Sequence, residues 1–146
     1  MAMVFVPFHP DHIGQMQNYG GQEQLVMSVQ KDDLYDIHKR SDAYTGMVDG
    51  RIVGCAGIVR VTQHRGVAWG VFQQTGRNEF LSIHMRVRQA LRDSDLKRIE
   101  AFVDPRSPRA MRWIAMLGFV MWNSYWPYFY PDGGGATAWV YRPEHN

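Results

Sequence analysis

Five basic residues crowd one stretch of this chain, Arg86, Arg88, Arg92, Lys97 and Arg98, and four of them carry the guanidinium fork that fits phosphate oxygens. Such a cluster could hold a nucleotide phosphate or a nucleic-acid backbone, although a solvated helix face is its commoner use. No nucleic-acid module accompanies the charge, so nucleic acid is not an expected partner. His9 and His12 flank Asp11 at a spacing that can put two imidazoles on one helical face. Third and fourth ligands at metal-site spacing do not follow, and no metal is expected. Cys55 is the only cysteine and sits in the apolar run Ile52-Val53-Gly54-Cys55-Ala56-Gly57-Ile58-Val59, which suits a small buried hydrophobe better than a nucleophile. Trp122, Tyr125, Trp126, Tyr128, Phe129 and Tyr130 form an aromatic run larger than a lone strand normally buries. Amphipathic rings favour interfaces and pockets, so this run is a candidate surface for a homodimer or protein partner, with core packing as the alternative.

The chain that must position these groups has 146 residues and a formal net charge of +2, enough for one domain with a real core. No apolar run reaches membrane-spanning length, and the start lacks a basic segment followed by an apolar signal core, so a cytoplasmic protein with no membrane partner is expected. Residues 3–8 read as a first strand, with Asp11 capping a short helix through Met16. Residues 22–40, with Leu25, Val26, Val29, Leu34 and Ile37, read as a second helical region. Strands follow at 43–48 and 51–61 around Asp49-Gly50, a strong hairpin signal. A strand over 66–72 then leads through a polar turn into a helix at about 79–92, whose apolar stripe is Phe80, Ile83, Val87, Ala90 and Leu91. Gly133-Gly134-Gly135 reads as a turn between strands at 125–130 and 138–141, since no helix follows it.

Between these elements lies the most informative stretch. Arg98-Ile99-Glu100-Ala101-Phe102-Val103-Asp104-Pro105 reads as a strand, and residues 107–117 as a helix with a complete set of end signals. Ser107 can accept a bond from the first turn, Pro108 suits the first helical position, and Gly118 can take the left-handed conformation past the end. Ala110, Ile114 and Leu117 share one face.

This strand, capped helix and Leu117-Gly118-Phe119 exit resemble the last βαβ unit of the GNAT superfamily of acyl-CoA-dependent N-acyltransferases. Ser107 stands where that family usually has Asn. The order β, α, α, β, β, β, α, β, α, β, β also resembles the family over nearly the whole chain. The resemblance implies an α/β (α+β) fold: one domain, 1–146, with a mixed central sheet of six or seven strands flanked by about four helices.

It further implies transfer of an acetyl group from acetyl-CoA to an amine of a small molecule or protein, by direct attack on the thioester. Gln73-Gln74-Thr75-Gly76-Arg77-Asn78 would be the pyrophosphate loop, because free N–H groups and the helix dipole at a helix start favour negative charge. Gln73 and Gly76 match the family's Gln/Arg-x-x-Gly-x-Gly/Ala pattern, while Asn78 replaces the final small residue; as a plain connection the loop would use Asn78 as an N-cap. Trp69, Gly70, Val71 and Phe72 would line the pantetheine arm, with strand backbone pairing with its amides. Ile114 stands where many members place a proton-donating tyrosine, and the strand 66–72 has no acid to serve as base. His64, His84 and Tyr125 are the substitutes to consider, followed by Tyr128 and Tyr130. These departures are similar to small tailed-phage GNAT-like proteins, including internal virion or core proteins, and open an alternative: a catalytically silent protein that binds another protein, such as a host target.

Overall fold

The computed structural model describes residues 3–17, 25–27, 41–73 and 76–143. Eight strands join one sheet in the order β1-β3-β4-β5-β2-β6-β8-β7: β1 (Val4–Pro7), β2 (Leu25–Met27), β3 (Ser41–Val48), β4 (Arg51–Arg60), β5 (Arg65–Phe72), β6 (Arg98–Val103), β7 (Phe119–Trp126) and β8 (Ala136–Tyr141). Three helices stand among the described residues: α1 (Asp11–Gln17), α2 (Arg77–Asp93) and α3 (Pro108–Met116). All strand pairs are antiparallel except β5 with β6, so the sheet is mixed as expected. The strand count exceeds the expected six or seven through the three-residue β2.

That strand is a correction. Leu25 and Val26 fall within the stretch read as helix, yet they pair with β5. A short apolar run fits either period, and here a long-range partner decides; the remainder of the expected second helix lies outside the described residues. A second correction concerns the aromatic hairpin. Its first strand is β7, ending at Trp126 rather than spanning 125–130, because Pro127 follows and Tyr128 takes a positive φ of 56°, which breaks the ladder.

Local signals elsewhere match the elements they predict. Asp49 and Gly50 both have positive φ (51° and 76°), the conformation of a tight hairpin turn between β3 and β4. Ser107 Oγ accepts from the Ala110 N–H at 3.3 Å, Pro108 opens α3, and Gly118 has φ 105°.

Alternating side chains divide the core between the two sheet faces. On one, Phe8, Ile13 and Met16 pack on Ile52, Cys55, Val59, Trp69 and Val71. On the other, Ile83, Leu91, Ala110, Trp113, Ile114 and Leu117 cover Val53, Phe72, Ala101, Val103 and Trp139. Ile114, in the place of the family tyrosine, is 1 % exposed, so that position is core. A smaller cluster of Phe102, Ala136 and Ala138 is covered by Phe129 and Tyr130 from the β7–β8 loop.

Candidate functional site

The parallel pairing of β5 and β6 covers only Arg65↔Arg98, Gly66↔Ile99 and Val67↔Glu100. Beyond Val67 the two strands part, and β5 continues toward Gly76 and α2. This divergence, with a helix start at its open end, is the feature a diphosphate-bearing ligand could use.

Gly76 is the N-cap of α2 and supplies no side-chain cap for the first-turn N–H groups. The expected cap at Asn78 is thereby corrected: Asn78 lies inside the first turn and is exposed, because the helix begins two residues earlier than its apolar stripe suggests. Among the described residues, a Cβ built on Gly76 would meet only Glu79 Oε1, at 3.8 Å. Glu79 places a carboxylate in that turn, but Arg51 answers it with Nη2 at 3.0 and 3.3 Å from its two oxygens. Among the described residues the start of α2 thus combines a cap without a side chain and a carboxylate paired with a guanidinium. Gln74 and Thr75 lie outside the described residues.

The other residues expected around a cofactor are placed as follows. Gln73 is buried; its side-chain amide donates to the Met16 carbonyl and its N–H to Val53 at 3.0 Å, which ties the loop to α1 and β4. Trp69 and Val71 point into the α1 face, where Trp69 Nε1 donates to Ser41 Oγ at 2.8 Å. Phe72 turns to the other face and meets Trp113 edge-on at 4.7 Å. Gly54 and Gly70 make room for that ring, since a Cβ on either would lie within 2.5 Å of it. These side chains are occupied in packing, so a ligand here would meet β5 through its backbone.

The proton-transfer candidates are scattered. His84 is buried, stacks on Phe80 and accepts from Trp113 Nε1 at 3.0 Å through Nδ1; burial, then the nearby Arg88 charge, holds its pKa below the ordinary value. It is a neutral core histidine under α2. His64 is exposed on the β4–β5 turn, where its carbonyl accepts from Lys97 and Arg98 at the closed end of the β5–β6 pair. The length of β5, roughly 26 Å at about 3.3 Å per residue, separates it from the α2 start. Tyr125 is 56 % exposed on β7. The fold does not bring these three together.

One group escaped the sequence reading. Glu100, 5 % exposed, is clamped between Arg65 Nε at 2.5 Å and Arg98 Nε at 3.0 Å, which pins the closed end of the pair. Its signal was a lone acid within an apolar strand beside an arginine. Tyr130, among the substitutes weighed from the sequence, buries a hydroxyl that has no hydrogen-bond partner among the described residues, and burial pushes its pKa up. Cys55, linked to Thr45 Oγ1 at 3.4 Å, has its thiol pKa raised by burial to about 11, which suits an unreactive core residue. His12 Nδ1 meets Thr45 Oγ1 at 2.7 Å, and among the described residues no group of three or more His, Cys, Asp or Glu gathers as a metal site.

Of the clustered arginines, Arg86 lies over the Tyr44 ring at 4.7 Å and Arg98 over Trp122 at 5.6 Å. A cavity of about 860 Å³ lies between α2 and the sheet, with Gly54, Ala56, Arg86 and Trp113 in its lining, and neither Gln73 nor residues 76–78 line it. Among the described residues no helix is long and apolar enough to cross a membrane.

No protein-family model matches the sequence, and no curated protein matches it. Solved structures do. Ard1 from Thermoplasma volcanium is similar over 96 % of this chain and 97 % of its own, at 15 % identity and a TM-score of 0.72. The ribosomal-protein-S18-alanine N-acetyltransferase from Escherichia coli matches over 96 % and 93 %, at 11 % identity and 0.68. An acetyltransferase of the GNAT family from Streptococcus pneumoniae matches over 95 % and 98 %, at 12 % identity and 0.63. The chain therefore has the fold of the GNAT acetyltransferases.

Proposed function

We propose that this chain is an acyl-CoA-dependent N-acyltransferase that moves an acetyl group from acetyl-CoA to an amine of a small molecule or protein. The observation that carries this reading is the glycine-capped start of α2 at the end where β5 leaves β6. The backbone N–H groups of the first turn, at Arg77 and Asn78, hold the diphosphate, and Arg77 adds an exposed cation. The backbone of Gly70, Val71 and Phe72 runs along the pantetheine arm. Bound acetyl-CoA supplies the activated thioester. His84 is committed to Trp113 and Ile114 to the core, so neither moves a proton in this reading.

Acetyl-CoA titration by calorimetry and thermal shift is the test, with a stabilisation of about 2.7 kcal/mol expected at a hundredfold excess over Kd. Gly76 has φ −70°, open to any residue, so Gly76→Trp should fold normally and abolish binding by filling the approach. Unchanged affinity would remove the loop from the site. The absence of any shift in the wild-type protein would remove the acyltransferase reading itself.

A second reading draws on other features: Ile114 stands in the core, and Trp122, Tyr125 and Tyr128 are exposed by 47, 56 and 85 %. In that reading a catalytically silent GNAT-like protein, of the phage internal-virion or host-targeting kind, binds a protein partner or a second copy through this aromatic edge. It predicts no thermal response to acetyl-CoA, together with an assembly that Trp122→Ser disrupts in light scattering.

A further inference from the structure

The gap between β5 and β6 is filled along its open half by the chain itself, and we propose that β2 is a removable occupant that competes with acyl-CoA for the backbone of β5. The inference rests on the acyl-CoA reading and adds a control on that site.

Each strand has two edges, and both edges of β5 are in use. Along one, β4 pairs without interruption from Gly54↔Phe72 to Arg60↔Gly66. Along the other, β6 takes Arg65, Gly66 and Val67, and β2 takes the last three: Met27↔Gly70, Val26↔Val71 and Leu25↔Phe72. The backbone that should accompany the pantetheine arm is thus already paired with peptide. That arm carries two amides, each with the N–H and C=O of a peptide unit, so in extended form it adds to a sheet edge as a strand does. Gln73 N–H donates to Val53, so by alternation the N–H and C=O of Val71 face β4 and those of Gly70 and Phe72 face β2. Arm and β2 need these same donors and acceptors of Gly70 and Phe72. They cannot hold them together.

Among the described residues β2 spans Leu25–Met27, and its second edge touches β6 at Met27↔Val103. Each backbone hydrogen bond that it makes to β5 is worth only about 0.5–1.5 kcal/mol net, which a ligand pairing with the same edge would replace. Leu25 stands opposite Phe72, at the end of β5 that leads to Gly76, so a ligand anchored at the α2 start would meet β2 from that end. Every molecule with β2 seated is unavailable to the arm, and the apparent Kd rises by the reciprocal of the open fraction.

Weakening β2 should therefore tighten coenzyme A binding. Leu25→Pro removes an N–H that faces Phe72 of β5, and the Kd for coenzyme A by calorimetry should fall about fivefold or more. Val26→Gly, which keeps the N–H and lowers strand preference, should act in the same direction with smaller size, and serves if the proline variant fails to fold. Hydrogen exchange supplies a readout apart from affinity: in the wild-type protein, coenzyme A should expose the amides of Leu25 and Met27 while those of Gly70 and Phe72 stay protected. Equal or weaker affinity in a folded variant, or continued protection of β2 with coenzyme A bound, overturns the competition and leaves the acyltransferase reading standing. Failure of wild-type and variant proteins alike to bind coenzyme A removes that reading, and the competition with it.

Discussion

At Arg65, Gly66 and Val67 the strands β5 and β6 share a parallel ladder, reinforced by the Glu100 carboxylate between two guanidiniums. From Gly70 to Phe72 they share none, and the surroundings are held by rings: Phe72 on Trp113, Phe80 tilted on Trp113 at 5.5 Å, and His84 bonded to the indole. One end is fixed by charge and backbone pairing. The other leaves its backbone edge to β2 and anchors the helix start through side chains on the sheet face behind it. The contrast teaches how a sheet can keep a binding edge without collapsing: packing that supports the site from the face does not consume the hydrogen bonds of the edge.

The largest expected effect breaks the ring-held end. Phe72→Ala should cost about 3–5 kcal/mol in urea unfolding, since the ring is buried and the glycines beneath it cannot fill the void. A loss below about 1 kcal/mol would show that the α2 start is supported otherwise. Glu100→Gln tests the charged end and should cost about 1–3 kcal/mol, the scale of hydrogen bonds to charged groups, moderated because both arginines are 41 % exposed. Its loss should shrink in high salt, where the wild-type clamp is already screened, while the Phe72→Ala loss should not. Equal salt response in both variants would erase the distinction drawn between the two ends.

The smallest effect is a pH slope. The folded pKa of His84 lies below its unfolded value of 6.5, mainly through burial, so below that value the unfolded chain binds the proton more readily. The neutral contribution of His84 is thus fully present above pH 6.5 and lost as pH falls from there through the folded pKa. Tm should decline on acidification through this window, and His84→Asn, which keeps an acceptor near the indole, should flatten the decline. His12, whose pKa is lowered by burial and by His9, contributes the remainder. An unchanged slope in the variant would mean that His84 is not held neutral under α2.

Much of this architecture is legible in local sequence because local chemistry determines it. Ser107, Pro108 and Gly118 specify the ends of α3 within one turn, and Asp49-Gly50 specifies its hairpin, since capping bonds and positive φ are settled among near neighbours. The loop position 73–78 was likewise evident between a strand and an amphipathic helix, although the true cap, Gly76, was not. Glycine caps by leaving room rather than by offering an atom, and Asn78 carries the stronger lexical signal.

What the sequence by itself determined was the fold class and most of the elements in their order, β2 excepted. Only the tertiary structure decided that Leu25, Val26 and Met27 form a strand against β5, that Glu100 finds two arginines, and that His84 and Ile114 belong to the core. Each of these depends on partners distant along the chain. Hydrophobic spacing states which side of an element is buried, but not which edge of a sheet a three-residue segment will pair with, because that choice is made by competition among all available backbone donors and acceptors once the sheet has assembled.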